Sequence, residues 1–103
     1  MTPAPEACTD MAGVRAGVDA VDRALVALLA RRFGYMDAAA RIKPLRTAVR
    51  DEDRKAQVLA NVQAEARALG LDPDLAAELW EVLIEASIAH ELRRWDSLRA
   101  AAE

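Results

Sequence analysis

At 103 residues the chain has room for one domain, and an Ala-, Leu-, Arg- and Glu-rich body with only 4 glycines, 4 prolines and 4% aromatic residues reads as all-helical. A formal charge of −3, from 14 Lys and Arg against 17 Asp and Glu, argues against a nucleic-acid or membrane-surface partner and leaves a small, locally anionic ligand as the expectation. The single Cys8 excludes an internal disulfide, the start Met1-Thr2-Pro3-Ala4-Pro5-Glu6 lacks the basic and apolar regions of a signal peptide, and no apolar run approaches spanning length, so a cytoplasmic protein is expected.

In chain order, residues 1–8 form a Pro-containing, flexible tail. Thr9 or Asp10 is placed to N-cap a helix that runs without a breaker to Lys43, where Pro44 stops it. Such a helix extends for roughly 50 Å, more than two shorter helices of one small domain can cover. Residues 44–50 form a loop. Asp51 caps a second helix ending near Leu69, with Gly70 and Leu71 as a Schellman-type terminus, and Asp72-Pro73 supplies N-cap and first residue of a third. That helix continues through Leu79, Leu83 and Trp95 to an Ala-rich end expected to fray. The whole chain reads as one domain of three helices.

The first helix carries a heptad stripe: Val14, Val18, Val21, Leu25, Leu28, Arg32, Tyr35, Ala39, Ile42. A stripe of that length wants a partner along it, and a homodimer with paired long helices is the simplest answer; a monomeric bundle would leave a large apolar patch in water. The guanidinium of Arg32 interrupts the stripe. A buried arginine without an anion costs several kcal/mol, roughly, and few acids of this chain look able to reach it, which points to a bound carboxylate ligand.

Helical geometry sorts the other cations. Lys43 follows Arg32 by eleven residues, which returns to nearly the same face about 16 Å further along, so the two side chains could hold one small ligand between them. Arg15 lies about 25 Å from Arg32 along the axis. It either reaches a site in a second, antiparallel chain or forms an ordinary pair with Asp19 at i,i+4. Arg54 falls in the first turn of the second helix, the wrong end for a cation by the helix dipole, so it has a role outside helix stability or is solvated surface charge. On the third helix Trp80, Ile84, Ser87, Glu91 and Trp95 share a face, which makes the Glu91 carboxyl either an edge group or one held neutral by burial. His90 has no ligand partners at metal spacing and reads as structural. Phosphate loops, nucleophile elbows and Cys/His clusters are absent from the sequence, so no cofactor or metal is expected.

Taken together, Val14-Arg15, Val18-Asp19-Ala20-Val21-Asp22, Leu28-Leu29-Ala30-Arg31-Arg32, Lys43, Val49-Arg50-Asp51-x-x-Arg54 and Ile84-x-x-Ser87-x-x-x-Glu91 resemble the all-helical chorismate mutase family from residue 8 to about residue 96. Cys8-Thr9, Arg31-Arg32-x-x-Tyr35 and Ile88-Ala89-x-Glu91-x-x-x-Trp95 resemble its isochorismate pyruvate lyase branch. The resemblance implies an intertwined homodimer with two sites, each taking its first arginine from the other chain. Arg15 across the interface and Arg32 would bind the two substrate carboxylates, and Arg54 would close over the site with the 44–50 loop. Lys43 would contact the ether oxygen and a neighbouring carboxylate, Ser87 would assist carboxylate binding, and Glu91 would face the ether oxygen from the opposite side. Where some family mutases place a glutamate after the arginine matching Arg54, to hold the ring hydroxyl, this chain has Lys55.

The expected activity is the conversion of chorismate to prephenate, a pericyclic rearrangement needing orientation and charge stabilisation rather than a nucleophile. Arg32, Lys43 and a protonated Glu91 would be the catalytic groups. The alternatives are an isochorismate pyruvate lyase, making salicylate and pyruvate from isochorismate, and a non-catalytic helical dimer that binds a partner enzyme of aromatic biosynthesis.

Overall fold

The computed structural model describes residues 2–102; Met1 of the expected tail and Glu103 of the expected frayed end lie outside the described residues. Three helices carry the chain, α1 (Met11–Ile42), α2 (Glu52–Leu69) and α3 (Pro73–Ala102), with short 3-10 turns at Pro5–Ala7 and Arg46–Ala48. The all-α expectation holds.

Each boundary has a local chemical cause. Asp10, rather than Thr9, caps α1: its Oδ1 accepts from the Gly13 N–H at 2.8 Å. Pro44 ends the same helix, whose last backbone bond runs from the Lys43 N–H to the Ala39 carbonyl at 2.9 Å. Asp51 caps α2 by accepting from the Arg54 N–H at 3.0 Å. At the far end of α2, Gly70 sits at φ 75 in the left-handed region, the Leu71 N–H reaches the Ala66 carbonyl at 2.9 Å and the Gly70 N–H the Arg67 carbonyl at 3.3 Å. Those two bonds are the Schellman pattern. Asp72 opens α3 by accepting from the Asp74 N–H at 2.9 Å.

The chain separates into two compact units, Met1–Gly34 and Tyr35–Glu103. In the first, the Pro-containing segment crosses the start of α1: a Cβ on Gly13 would stand 3.4 Å from the Pro3 ring and 3.2 Å from the capping Asp10 carboxylate. Glycine at position 13 therefore lets the segment lie close. In the second unit α2 packs against α3, and Val49, Ala66, Ala76 and Ile84 are buried together with Ala40 at the end of α1.

The stripe along α1 stays wet. Val18, Val21, Leu25 and Leu28 are all at least half exposed in the single chain, as are Tyr35 and Ile42. No helix of the described residues is long and apolar enough to cross a membrane.

Candidate functional site

The second unit gathers the chemistry around α3. Lys43 stands at the very end of α1, and its Nζ donates to Glu91 Oε2 at 2.7 Å and to the Val49 carbonyl at 3.4 Å. Glu91 is 4% exposed. A carboxylate this deep needs an opposite charge, and removing either partner would strand the other. Ser87, one turn before Glu91 and also buried, donates its hydroxyl back to the Leu83 carbonyl at 2.7 Å. Glu91 is thus neither the edge group nor the unpaired buried acid considered from sequence: it is buried and ion-paired with a residue 48 positions away.

The segment 43–50 is tied to α3 by charge on both sides of this pair. Arg46 donates from Nε and Nη2 to the Asp96 carboxylate at 2.8 and 3.2 Å. Arg50 donates to Glu85 at 2.7 and 3.1 Å and to Glu52 at 3.0 Å. Lys55 then joins Glu81 at 2.6 Å and Glu85 at 3.0 Å. These contacts shift the titrations as expected. Hydrogen bonds from Arg50 and then Lys55 hold the Glu85 carboxyl down to about 2, and the bond from Arg46 lowers Asp96. The basic partners move the other way: Arg46 is raised by Asp96, Arg50 chiefly by Glu85, and Lys55 by Glu81 and then Glu85.

Arg54, in the first turn of α2, is exposed and its Nη1 donates to Gln57 Oε1 at 2.6 Å. Arg15 and Arg32 belong to the first unit, where Arg15 is exposed and Arg32 half-buried. Among the described residues no ion pair joins Arg15 to Asp19, so the pairing considered from spacing is not formed. His90 meets Asp37 at 2.7 Å, a contact between α3 and the end of α1 that suits its structural reading.

Two further side chains hold the backbone at Lys43: Trp95, which the sequence places on the Glu91 face without its contact, and Arg99, which sequence reasoning misses. Trp95 Nε1 donates to the Lys43 carbonyl at 3.0 Å, and Arg99 donates to the Ala40 and Lys43 carbonyls at 2.6 and 2.7 Å. Their signal was the fourfold spacing 91, 95, 99 on one helix face. Among the described residues, no three His, Cys, Asp or Glu side chains gather as metal ligands. The arrangement is instead one of donors and buried charge: an ammonium with three N–H groups, a carboxyl able to accept or, once protonated, donate, and a hydroxyl one turn away.

Comparison with known proteins gives this arrangement a family. The chain is 34% identical over 98 residues to an isochorismate pyruvate lyase of Pseudomonas aeruginosa, an alignment covering 95% of this chain and 97% of the relative. The profile of chorismate mutase type II matches residues 14–92, a span that takes in Arg15, Arg32, Lys43, Arg54, Ser87 and Glu91, and the chain belongs to that family.

Proposed function

We propose that the chain acts as a single chorismate mutase domain, converting chorismate to prephenate in the cytoplasm as a homodimer. The observation that carries the reading is the contact at 2.7 Å between half-buried Lys43 and buried Glu91 inside the matched segment. Negative charge grows on the ether oxygen as its bond to the ring breaks. For the ether oxygen to sit between them the Lys43–Glu91 ion pair opens and Glu91 takes up a proton; Lys43 from one side and the neutral carboxyl from the other then stabilise that charge more in the transition state than in the bound substrate. Arg32 and the partner subunit's Arg15 take the two carboxylates, Ser87 assists, and Arg54 closes over the ligand with the 44–50 loop. No cofactor takes part.

The second reading is the lyase, isochorismate to salicylate and pyruvate. It is favoured by the relative matched over nearly its whole length and by Lys55, whose ammonium is engaged by Glu81 and Glu85 at the position where some mutases carry a glutamate for the ring hydroxyl. Both reactions use a dicarboxylate enolpyruvyl ether, so one cation set serves either. Incubating the purified protein separately with chorismate and isochorismate decides between them: prephenate supports the mutase, salicylate with pyruvate the lyase. Neither product would leave a non-catalytic dimer that binds a partner enzyme.

A further inference from the structure

Pro44 leaves a carbonyl without its donor. In an uninterrupted helix the residue 40 carbonyl accepts from the N–H of residue 44, and proline has none. Ala40 is 0% exposed, so its carbonyl is cut off from water. Arg99 supplies the missing donor through Nη1 at 2.6 Å, and its Nη2 reaches the Lys43 carbonyl at 2.7 Å. That second carbonyl also accepts from Trp95 Nε1 at 3.0 Å, and the Arg99 guanidinium lies 4.2 Å over the Trp95 ring.

Both donors share a helix face with Glu91, which accepts from the Lys43 ammonium. Glu91, Trp95 and Arg99 follow one another at steps of four along a single face of α3. The first holds the Lys43 side chain, and the other two hold its backbone. A planar guanidinium can span two carbonyls of one helix end, as a point-like ammonium does not. Both clamp residues lie beyond the family match, which ends at residue 92.

We propose that Trp95 and Arg99 are positioning residues for Lys43, a backbone clamp that fixes where its ammonium stands; the inference rests on the reading of Lys43 as the cation at the reacting ether oxygen. The clamp replaces the helical hydrogen bond that Pro44 removes, and so allows the chain to turn into the 44–50 segment directly after Lys43 without loosening it.

The test uses the full chain with Arg99→Ala, Arg99→Lys and Trp95→Phe. Each is checked for helix content by circular dichroism, for kcat and KM with whichever substrate the wild type converts, and for the 15N–1H signal of the Lys43 ammonium. Displacement by about 1 Å can cost a hundredfold in rate, so Arg99→Ala should lower kcat by about tenfold or more, with KM within about threefold. It should also broaden or erase the ammonium signal. Arg99→Lys should rescue little, and Trp95→Phe, which keeps the ring and removes one donor, should give a smaller loss of the same kind. Added to Lys43→Ala, Arg99→Ala should cause no further loss of kcat, because nothing remains to be positioned. Wild-type kcat and ammonium signal in all folded variants would overturn the clamp, as would an equal loss in the Lys43→Ala background. If the wild type converts neither substrate, the functional reading fails, and the ammonium signal still decides the clamp: kept in folded Arg99→Ala or Trp95→Phe it is refuted, lost in them it stands.

Discussion

Arg50 grips Glu85 with both prongs of its guanidinium, Nη2 to Oε1 at 2.7 Å and Nη1 to Oε2 at 3.1 Å, while Lys55 takes Oε2 at 3.0 Å. Three elements therefore converge on one carboxylate: the end of the 44–50 loop, the first turns of α2 and the middle of α3.

This carboxylate gives the fold an acid dependence. Its value falls from the ordinary 4.5 to about 2 on folding, so ionised Glu85 favours the folded state fully above the ordinary value, and the contribution is lost as pH falls from there toward 2. Glu85→Gln should be less stable than wild type near neutrality, with the gap narrowing across that window. Urea midpoints of both proteins at several pH values check it; a gap independent of pH would detach Glu85 from the effect.

Lys43→Ala should lower kcat by about a hundredfold or more while changing KM far less, the pattern of an interaction strongest in the transition state. Steady-state kinetics with chorismate reads this directly. A change confined to KM would make Lys43 a binding residue only.

A site shared between chains has a genetic signature. Inactive Arg15→Ala and inactive Lys43→Ala chains, mixed and allowed to exchange subunits, should recover activity, because one site of each heterodimer then draws both residues from intact chains. The statistical limit is about one quarter of wild type: half of the dimers mixed, each with one good site of two. Exchange shown by mass spectrometry without recovery would place both residues in the same chain's site.

Glu91 helps only as the neutral acid, since an ionised carboxylate opposes charge growing on the ether oxygen. A permanent donor at position 91 should therefore serve the reaction, and a side chain without one should not. Glu91→Gln keeps a donor and should retain substantial activity, whereas Glu91→Ala should lower kcat far more than it changes KM. Equal kcat in folded Glu91→Gln and Glu91→Ala would show that no donor at this position serves the reaction.

Much of this was legible in the sequence because helix boundaries are local chemistry. Asp10, Pro44, Asp51, Gly70 and Asp72-Pro73 each act on backbone groups within a turn, and each acts where its type predicts. The site divides differently. Lys43 and Glu91 stand out singly by pattern and resemblance, but their meeting depends on how the end of α1 registers against α3, which no local rule sets. The same holds for Arg50 on Glu85 and Arg99 on Ala40, pairs separated by 35 and 59 positions. Arg99 could have been sought once Pro44 was known to orphan a carbonyl, yet its place on the chain still required the fold.

The wet stripe on α1 has a bearing on how the chain lives in a cell. Among the described residues the buried apolar set is Ala40, Val49, Ala66, Ala76 and Ile84, three of them alanines, whereas Val18, Val21, Leu25 and Leu28 remain accessible. A lone copy gains little from so small a set, and each large side chain left out forgoes about 1.5–3 kcal/mol of burial. The folded population then rises with the supply of a matching apolar surface. In the proposed homodimer that surface is a second copy, so freshly made copies at low abundance would be the ones most open to proteases and accumulation itself protective, and the amount of this protein would respond more than proportionally to changes in its synthesis.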